Sequence, residues 1–183
     1  MARLATQLPA DFADYIGQNA GVLLSNFSAT DWSVSRENIV GATSGGISFK
    51  DTPEWQDFGE DIDNCPKNMM ELKQVNSREI VLSGTFVSAD TNAFKTLIGT
   101  ADVAEKVITP RDTISTADFK DLWFVFDYGE DNAVAIQLEN VLSTGGLSIQ
   151  TADKGKAQYA FEYTAHYSME DPTKVPYKVY FKA

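Results

Sequence analysis

The stretch YAFEYTAHY, residues 159–167, decides the fold class. Tyr159, Phe161, Tyr163, Ala165 and Tyr167 alternate with Ala160, Glu162, Thr164 and His166. Aromatic residues at a period of two, with polar residues between them, mark a strand that buries one face and wets the other. The same period recurs upstream. Ile47 and Phe49 alternate with Ser48 and Lys50, and Val134, Ile136 and Leu138 alternate with Ala135, Gln137 and Glu139. Segments 80–87 and 122–126 are apolar on both faces, which predicts strands covered on both sides.

The punctuation between these strands is equally local. Asp127–Asn132 reads as a hairpin loop, and Ser143-Thr-Gly-Gly146 reads as a second hairpin turn. Segment 88–99 predicts a helix. Ser88 or Asp90 caps it, Ala93, Phe94, Leu97 and Ile98 form one stripe, and Gly99 ends it. Six to eight strands and one helix make a mainly β protein, an antiparallel β-sandwich or half-barrel with a flanking α-helix. The expected organisation is an N-terminal arm and first turn over 1–40, a β domain over 41–170, and a C-terminal strand or arm over 171–183. A short helical turn is expected around Phe12 to Ile16.

The chain has 183 residues, 43% of them hydrophobic, which suits one domain with a substantial core. Its net charge of −11 argues against holding nucleic acid through phosphate contacts and against docking on anionic lipid. No apolar run approaches the roughly 20 residues of a membrane span, and the first residues lack a signal peptide's apolar stretch. Folding in a cytosol is the expectation. One cysteine, Cys65, excludes an intramolecular disulfide and a multi-cysteine zinc site.

The charge is unevenly placed. Residues 51–71 hold seven acids against Lys67, and residues 118–139 hold six acids against Lys120. The rest of the chain balances. The first window also carries Trp55, Phe58, Ile62, Met69 and Met70, with Pro53 and Pro66. A long excursion of this kind, apolar and acidic together, is expected to be covered by a neighbouring subunit. The competing reading is a longer hairpin folded back on its own domain.

Sites of chemistry are not evident. Asp61-Ile-Asp63-Asn64 opens like a calcium loop, but its sixth position is Pro66 and its twelfth is Leu72, where Gly and Glu are needed. His166 stands alone, Cys65 sits among carboxylates that disfavour a thiolate, and neither Gly-x-Ser-x-Gly nor a phosphate-loop lysine is present. Asn26-Phe-Ser28 fits a glycosylation sequon, which has no meaning without secretion. No enzyme activity, cofactor or metal is expected.

The stretch GGISFKDTPEWQDFGEDIDNCPKNMMELKQVNSREIVLSGTFV, residues 45–87, resembles the major tail tube proteins of long-tailed bacteriophages and prophages. The order of elements extends the resemblance from about Asn19 to Ser168: strand, long loop, a strand ending in SGTF, a short helix, then strands closing with YAFEYTAHYS. The resemblance implies a structural virion protein whose sheets join in rings of six. The rings stack into the tail tube, a conduit for DNA during ejection. It implies a tape-measure protein inside the tube, tail terminator and baseplate or distal tail proteins at its ends, and double-stranded DNA passing without tight binding. It implies a place in the virion tail, after assembly in the bacterial host cytoplasm, with no membrane partner. The inter-subunit and inter-ring loop would be 51–71, with Trp55, Asp57, Phe58, Glu60, Asp61, Ile62, Asp63, Met69 and Met70. Lumen lining is assigned to Glu139, Asp127, Glu130 and Asp131, since an acidic wall repels phosphate. A tailocin-like tube shares the fold and the assembly and differs only in cargo. The alternative of another class is a monomeric or trimeric β-sandwich that binds carbohydrate or a receptor, with Trp123 and Tyr159 as a sugar platform.

Overall fold

The computed structural model describes residues 16–128 and 132–182. The expected helical turn around Phe12 lies outside the described residues, apart from its last position. Ten strands and one α-helix are seen among the described residues. In chain order they are β1 (Gly17–Leu24), β2 (Thr43–Asp57), β3 (Lys73–Phe86), α1 (Thr91–Ile98), β4 (Ala101–Ala104), β5 (Val107–Pro110), β6 (Lys120–Tyr128), β7 (Asn132–Ser143), β8 (Ser148–Gln150), β9 (Gln158–Ala165) and β10 (Tyr177–Phe181).

Eight strands belong to one antiparallel sheet with the path β1-β6-β7-β9-β3-β2, while β8 pairs β9 and β10 pairs β7. Of the two expected forms, the half-barrel holds, because the core lies inside one rolled sheet and not between two. Just before β2 the chain returns to β1. Leu24 bridges Ile39, and Val40 N–H donates to the Leu23 carbonyl at 3.0 Å. The two ends of the path therefore meet.

Residues paired directly across an antiparallel ladder share a face. The inner face collects Leu23, Ile80, Leu82, Phe86, Leu122, Phe124, Ile136, Leu138, Phe161 and Tyr163. Phe86 stacks on Phe161, and Phe161 on Tyr163. The alternation in 159–165 is what places these rings. Helix α1 closes this face through Ala93 and Leu97, and its predicted signals hold. Asp90 Oδ1 accepts from Ala93 N–H at 2.8 Å, and Gly99 ends the helix at φ 82°, in the left-handed region.

β6 is covered on both sides, as its pattern predicts. Trp123 and Val125 form a second cluster with Leu24, Phe27 and Ala135 under the segment that follows β1. β3 is not. Ile80, Leu82 and Phe86 are buried, but Val81, Ser83 and Thr85 face outward and stay half-exposed. Val81 and Val87 are separated by Ser83 and Thr85 on that face, too little apolar surface to draw a cover, and the predicted double burial of 80–87 fails for that reason.

One further expectation is corrected. Ser143–Gly146 is not a hairpin turn. β7 and β8 both run antiparallel to β9 along the same edge, Val141–Ser143 against Ala165–Tyr163 and Ser148–Gln150 against Ala160–Gln158. The glycines make an interruption in one line of strand, where Thr144 and Gly145 N–H both donate to the Glu162 carbonyl. A Cβ on Gly145 would stand 2.9 Å from that of Glu162. Of the two forms expected for the C-terminal segment, the strand is the one seen. β10 pairs with the first half of β7, from Tyr177 opposite Leu138 to Phe181 opposite Val134, on the edge that β9 leaves open. The β6–β7 hairpin is as expected, with Tyr128 opposite Asn132.

Candidate functional site: a projecting hairpin arm

β9 pairs only with residues Ile80–Phe86 of β3. The rest of β3, from Lys73 to Glu79, has β2 as its partner. The β2–β3 hairpin therefore extends past the sheet as an arm of six residue pairs, roughly 20 Å at ~3.3 Å per residue, with a tip over 58–72. The window 51–71, expected as a loop, is corrected in its first third. Thr52–Asp57 is strand, with a bulge between Glu54 and Trp55. Strand propensity in Thr52 and Trp55 survives there because every residue finds a ladder partner on β3. The Pro53 ring is accommodated because β2 is an edge strand in this part.

The arm has a distinct inner side, continuous with the core face. Asp51 lies opposite Ile80, Pro53 opposite Arg78, Trp55 opposite Val75 and Asp57 opposite Lys73. Trp55 is 57% exposed, and the Lys73 ammonium sits over its ring at 5.5 Å from the centroid. Phe58, Ile62 and Met69 are exposed at the tip, and Met70 is 81% exposed. None of them joins either core cluster. The hairpin does not fold its apolar residues back on its own domain.

The tip is nevertheless ordered by specific bonds. Asp57 Oδ1 accepts from Gly59 N–H at 2.9 Å and Oδ2 from Asn68 N–H at 2.8 Å, so one carboxylate spans the loop. These two bonds, Asn68 first, hold the carboxyl below its ordinary value against a smaller opposing effect of desolvation. Phe58 N–H donates to the Leu72 carbonyl, Lys67 pairs with Glu60 at 3.0 Å, and Cys65 Sγ lies 3.5 Å from Met69 Sδ. Asp61, Asp63 and Glu71 are exposed and make no ion pair among the described residues.

The root of the arm is held by residues that pattern reading passed over. Asp51 Oδ2 pairs with the Arg78 guanidinium and accepts from the Tyr177 hydroxyl at 2.9 Å. Position 177 lies on another strand far along the chain, so no local signal links it to the arm.

Of the expected lumen residues, Glu139 and Asp127 are described, and they stand apart on the β6–β7 pair. Glu139 is mostly buried and bound by Lys174 and by Lys178 at 2.9 Å. Burial alone would raise its pKa, but hydrogen bonds from both lysines bring it below the ordinary value. Its charge is neutralised inside the subunit, which leaves it little to add to an acidic wall. Asp127 is exposed at the far end of β6, where Asn19 Nδ2 donates to it at 2.9 Å. Glu130 and Asp131 lie outside the described residues. Asp118 is likewise spoken for, pairing with Arg111 at 2.6 Å and capping Ser115.

The sugar platform is also corrected. Trp123 is buried between Phe27 and Tyr180, and Tyr159 packs edge-on against Phe94. A cleft of about 360 Å³ lies between α1 and the sheet, lined by Ala93, Lys95, Lys120, Leu122, Val141 and Tyr163. Burial pushes the Tyr163 hydroxyl far above its ordinary pKa, and it has no hydrogen-bond partner among the described residues. Among the described residues no three His, Cys, Asp or Glu side chains converge as a metal site would need, and no helix is long and apolar enough to cross a membrane.

Compared with known proteins, the sequence matches no family model and no curated protein. Among solved structures, this chain is similar to one in the virion of a native gene transfer agent particle. The identity is 12%, with 91% of this chain and 99% of that chain covered and a TM-score of 0.47. It is also similar to a chain in the tail of an empty gene transfer agent particle solved with sixfold symmetry. There the identity is 11%, 82% of this chain and 96% of that chain are covered, and the TM-score is 0.45.

Proposed function

We propose that this chain is a structural subunit that assembles with copies of itself into a hollow phage tail tube, as the sequence resemblance implies. The observation that carries the proposal is the arm: an ordered, apolar-faced hairpin that projects beyond its own core and leaves Trp55, Phe58, Ile62 and Met70 in water. A monomer gains nothing from that surface, whereas a neighbouring copy would bury it. The edges of β2, β8 and β10, unpaired among the described residues, offer further strand pairing of the kind that closed rings satisfy. In this role the copies form rings of six that stack around a tape-measure protein, with terminator and distal tail proteins at the ends. The assembly takes place in the host cytoplasm, the place of function is the virion tail, and the subunit performs no catalysis.

The lumen wall best supported is the outer face of β2, β3 and β9. Ser48, Ser83, Thr85, Ala160 and Thr164 present short side chains there, and one lysine, Lys50, stands against Glu79 and Glu162. Such a face is wet, smooth and without a basic cluster, so passing DNA finds little to hold it.

The test is the double substitution Trp55→Ser with Phe58→Ser. Circular dichroism and the cooperativity of melting are expected to stay as they are, while large assemblies disappear from sedimentation profiles. Unfolding of the variant would place these side chains in the subunit's own core and defeat the proposal.

A further inference from the structure

Self-assembly through the arm requires a surface that receives it. The topology places such a surface at the opposite end of the same strands. β3 runs about 43 Å, at ~3.3 Å per residue, from Lys73 in the arm to Phe86. Phe86 pairs with Tyr159 at the start of β9, and β8 pairs with β9 over the adjoining Gln158–Ala160. The β8–β9 hairpin is therefore at the end of the sheet remote from the arm.

The two ends are chemically complementary. The arm tip joins exposed Phe58, Ile62 and Met70 to Asp61, Asp63 and Glu71, acids without an ion-pair partner among the described residues. The β8–β9 end joins Leu147 and Ile149, which are 44% and 50% exposed, to Lys154 and Lys156, both exposed and likewise unpaired. Each end shows an apolar centre with charge of one prevailing sign beside it, acidic at the tip, where Lys67 is paired with Glu60, and basic at the β8–β9 end, where Asp153 offsets one of the two lysines, the arrangement of an interface core and rim.

We infer that the arm tip of one copy seats on the Leu147–Ile149–Lys154–Lys156 surface of the next copy, stacked head to tail in the same orientation. The inference rests on the self-assembly reading and adds the receiving surface to it. Apolar contact is made by Phe58, Ile62 and Met70 against Leu147 and Ile149. Asp61 and Asp63 meet Lys154 and Lys156 at the rim, setting register and excluding the reversed orientation. Because donor and acceptor surfaces differ and lie at opposite ends, the contact never closes on itself, and repetition gives a filament.

Charge reversal tests it on the full chain. Lys154→Glu with Lys156→Glu, and separately Asp61→Lys with Asp63→Lys, should each abolish filaments at physiological salt. The four substitutions combined in one chain should restore them. The four substituted residues are solvent-exposed, and circular dichroism should show each variant folded. A second measurement uses native Cys65 in the tip. In assemblies of Ile149→Cys, a short bis-maleimide should link Cys65 of one copy to position 149 of the next and give a ladder of multimers, whereas Ser83→Cys should give none. Filaments that persist in the lysine-reversed variant, or no ladder in assembled Ile149→Cys, overturn the receiving surface while self-assembly stands. An unmodified chain that never assembles overturns both.

Discussion

The Tyr177 hydroxyl donates to Asp51 Oδ2 at 2.9 Å, a bond between positions 126 residues apart in the chain. Asp51 stands where β2 leaves the sheet for the arm, and Tyr177 opens β10 against β7. The same carboxylate oxygen receives Arg78 from the other arm strand. The last strand of the chain thus fixes the angle at which the arm departs. Tyr177 also packs against Phe49, so apolar contact and hydrogen bond act at one point.

Tyr177→Phe keeps the ring and removes the bond. The expected cost is about 1–2 kcal/mol, since a charged acceptor loses one donor but keeps Arg78. For a chain of this size that lowers the melting temperature by roughly 2–4 °C per kcal/mol. Calorimetry of the subunit measures it. An unchanged melting temperature would mean that strand pairing alone holds the arm root.

Asp57 makes the tip dependent on acid. Its folded carboxyl is held below the ordinary value of 3.8, so its contribution is present above that value and is lost as pH falls through the lower, folded one. The amide signals of Gly59 and Asn68 should therefore titrate with a midpoint below 3.8, and the tip should be unaltered between pH 5 and 8. A midpoint above 3.8 would contradict the bridging geometry. Asp57→Asn should accelerate amide exchange at Asn68 without changing exchange in β9.

Glu139 is a structural ion. Replacing it by Lys sets a third cation beside Lys174 and Lys178 and leaves a mostly buried charge without a partner. The expected loss is about 2 kcal/mol, typical of breaking charge-assisted hydrogen bonds, with no gain in DNA affinity. Denaturant unfolding measures the first and a filter-binding assay the second. Salt-sensitive DNA binding by a stably folded Glu139→Lys assembly would return this residue to the lumen.

The outer face of β3 should behave differently. Ser83→Lys with Thr85→Lys puts two cations per copy on the proposed lumen wall without touching the buried face. Assembled tubes of this variant should bind duplex DNA, with affinity falling steeply as salt rises, and unmodified tubes should not. Equal, weak binding by both would place this face on the outside of the assembly.

Strand and helix identity was legible wherever one face carried the signal alone. Tyr159, Phe161 and Tyr163 needed no partner to announce a buried face, and Asp90 with Gly99 announced both ends of α1. The arm was legible as a segment because Trp55, Phe58 and Met70 stand among acids, and a hairpin was one of its two readings, but a hairpin projecting away from its own domain was not. Pro53 and the carboxylates mask a ladder that only the facing residues of β3 reveal. Gly145-Gly146 misled for a related reason. A glycine pair marks a departure from regular strand, and whether the chain reverses there or continues depends on β9, distant in sequence. The role of Glu139 was hidden in the same way, since its two lysines come from beyond Asp171.

Electron microscopy of the purified full chain at high concentration tests the central claim most directly. The account predicts rings with sixfold symmetry or hollow filaments, lost in the Trp55→Ser/Phe58→Ser variant. A monodisperse monomer at every concentration, with the arm still in place, would contradict it.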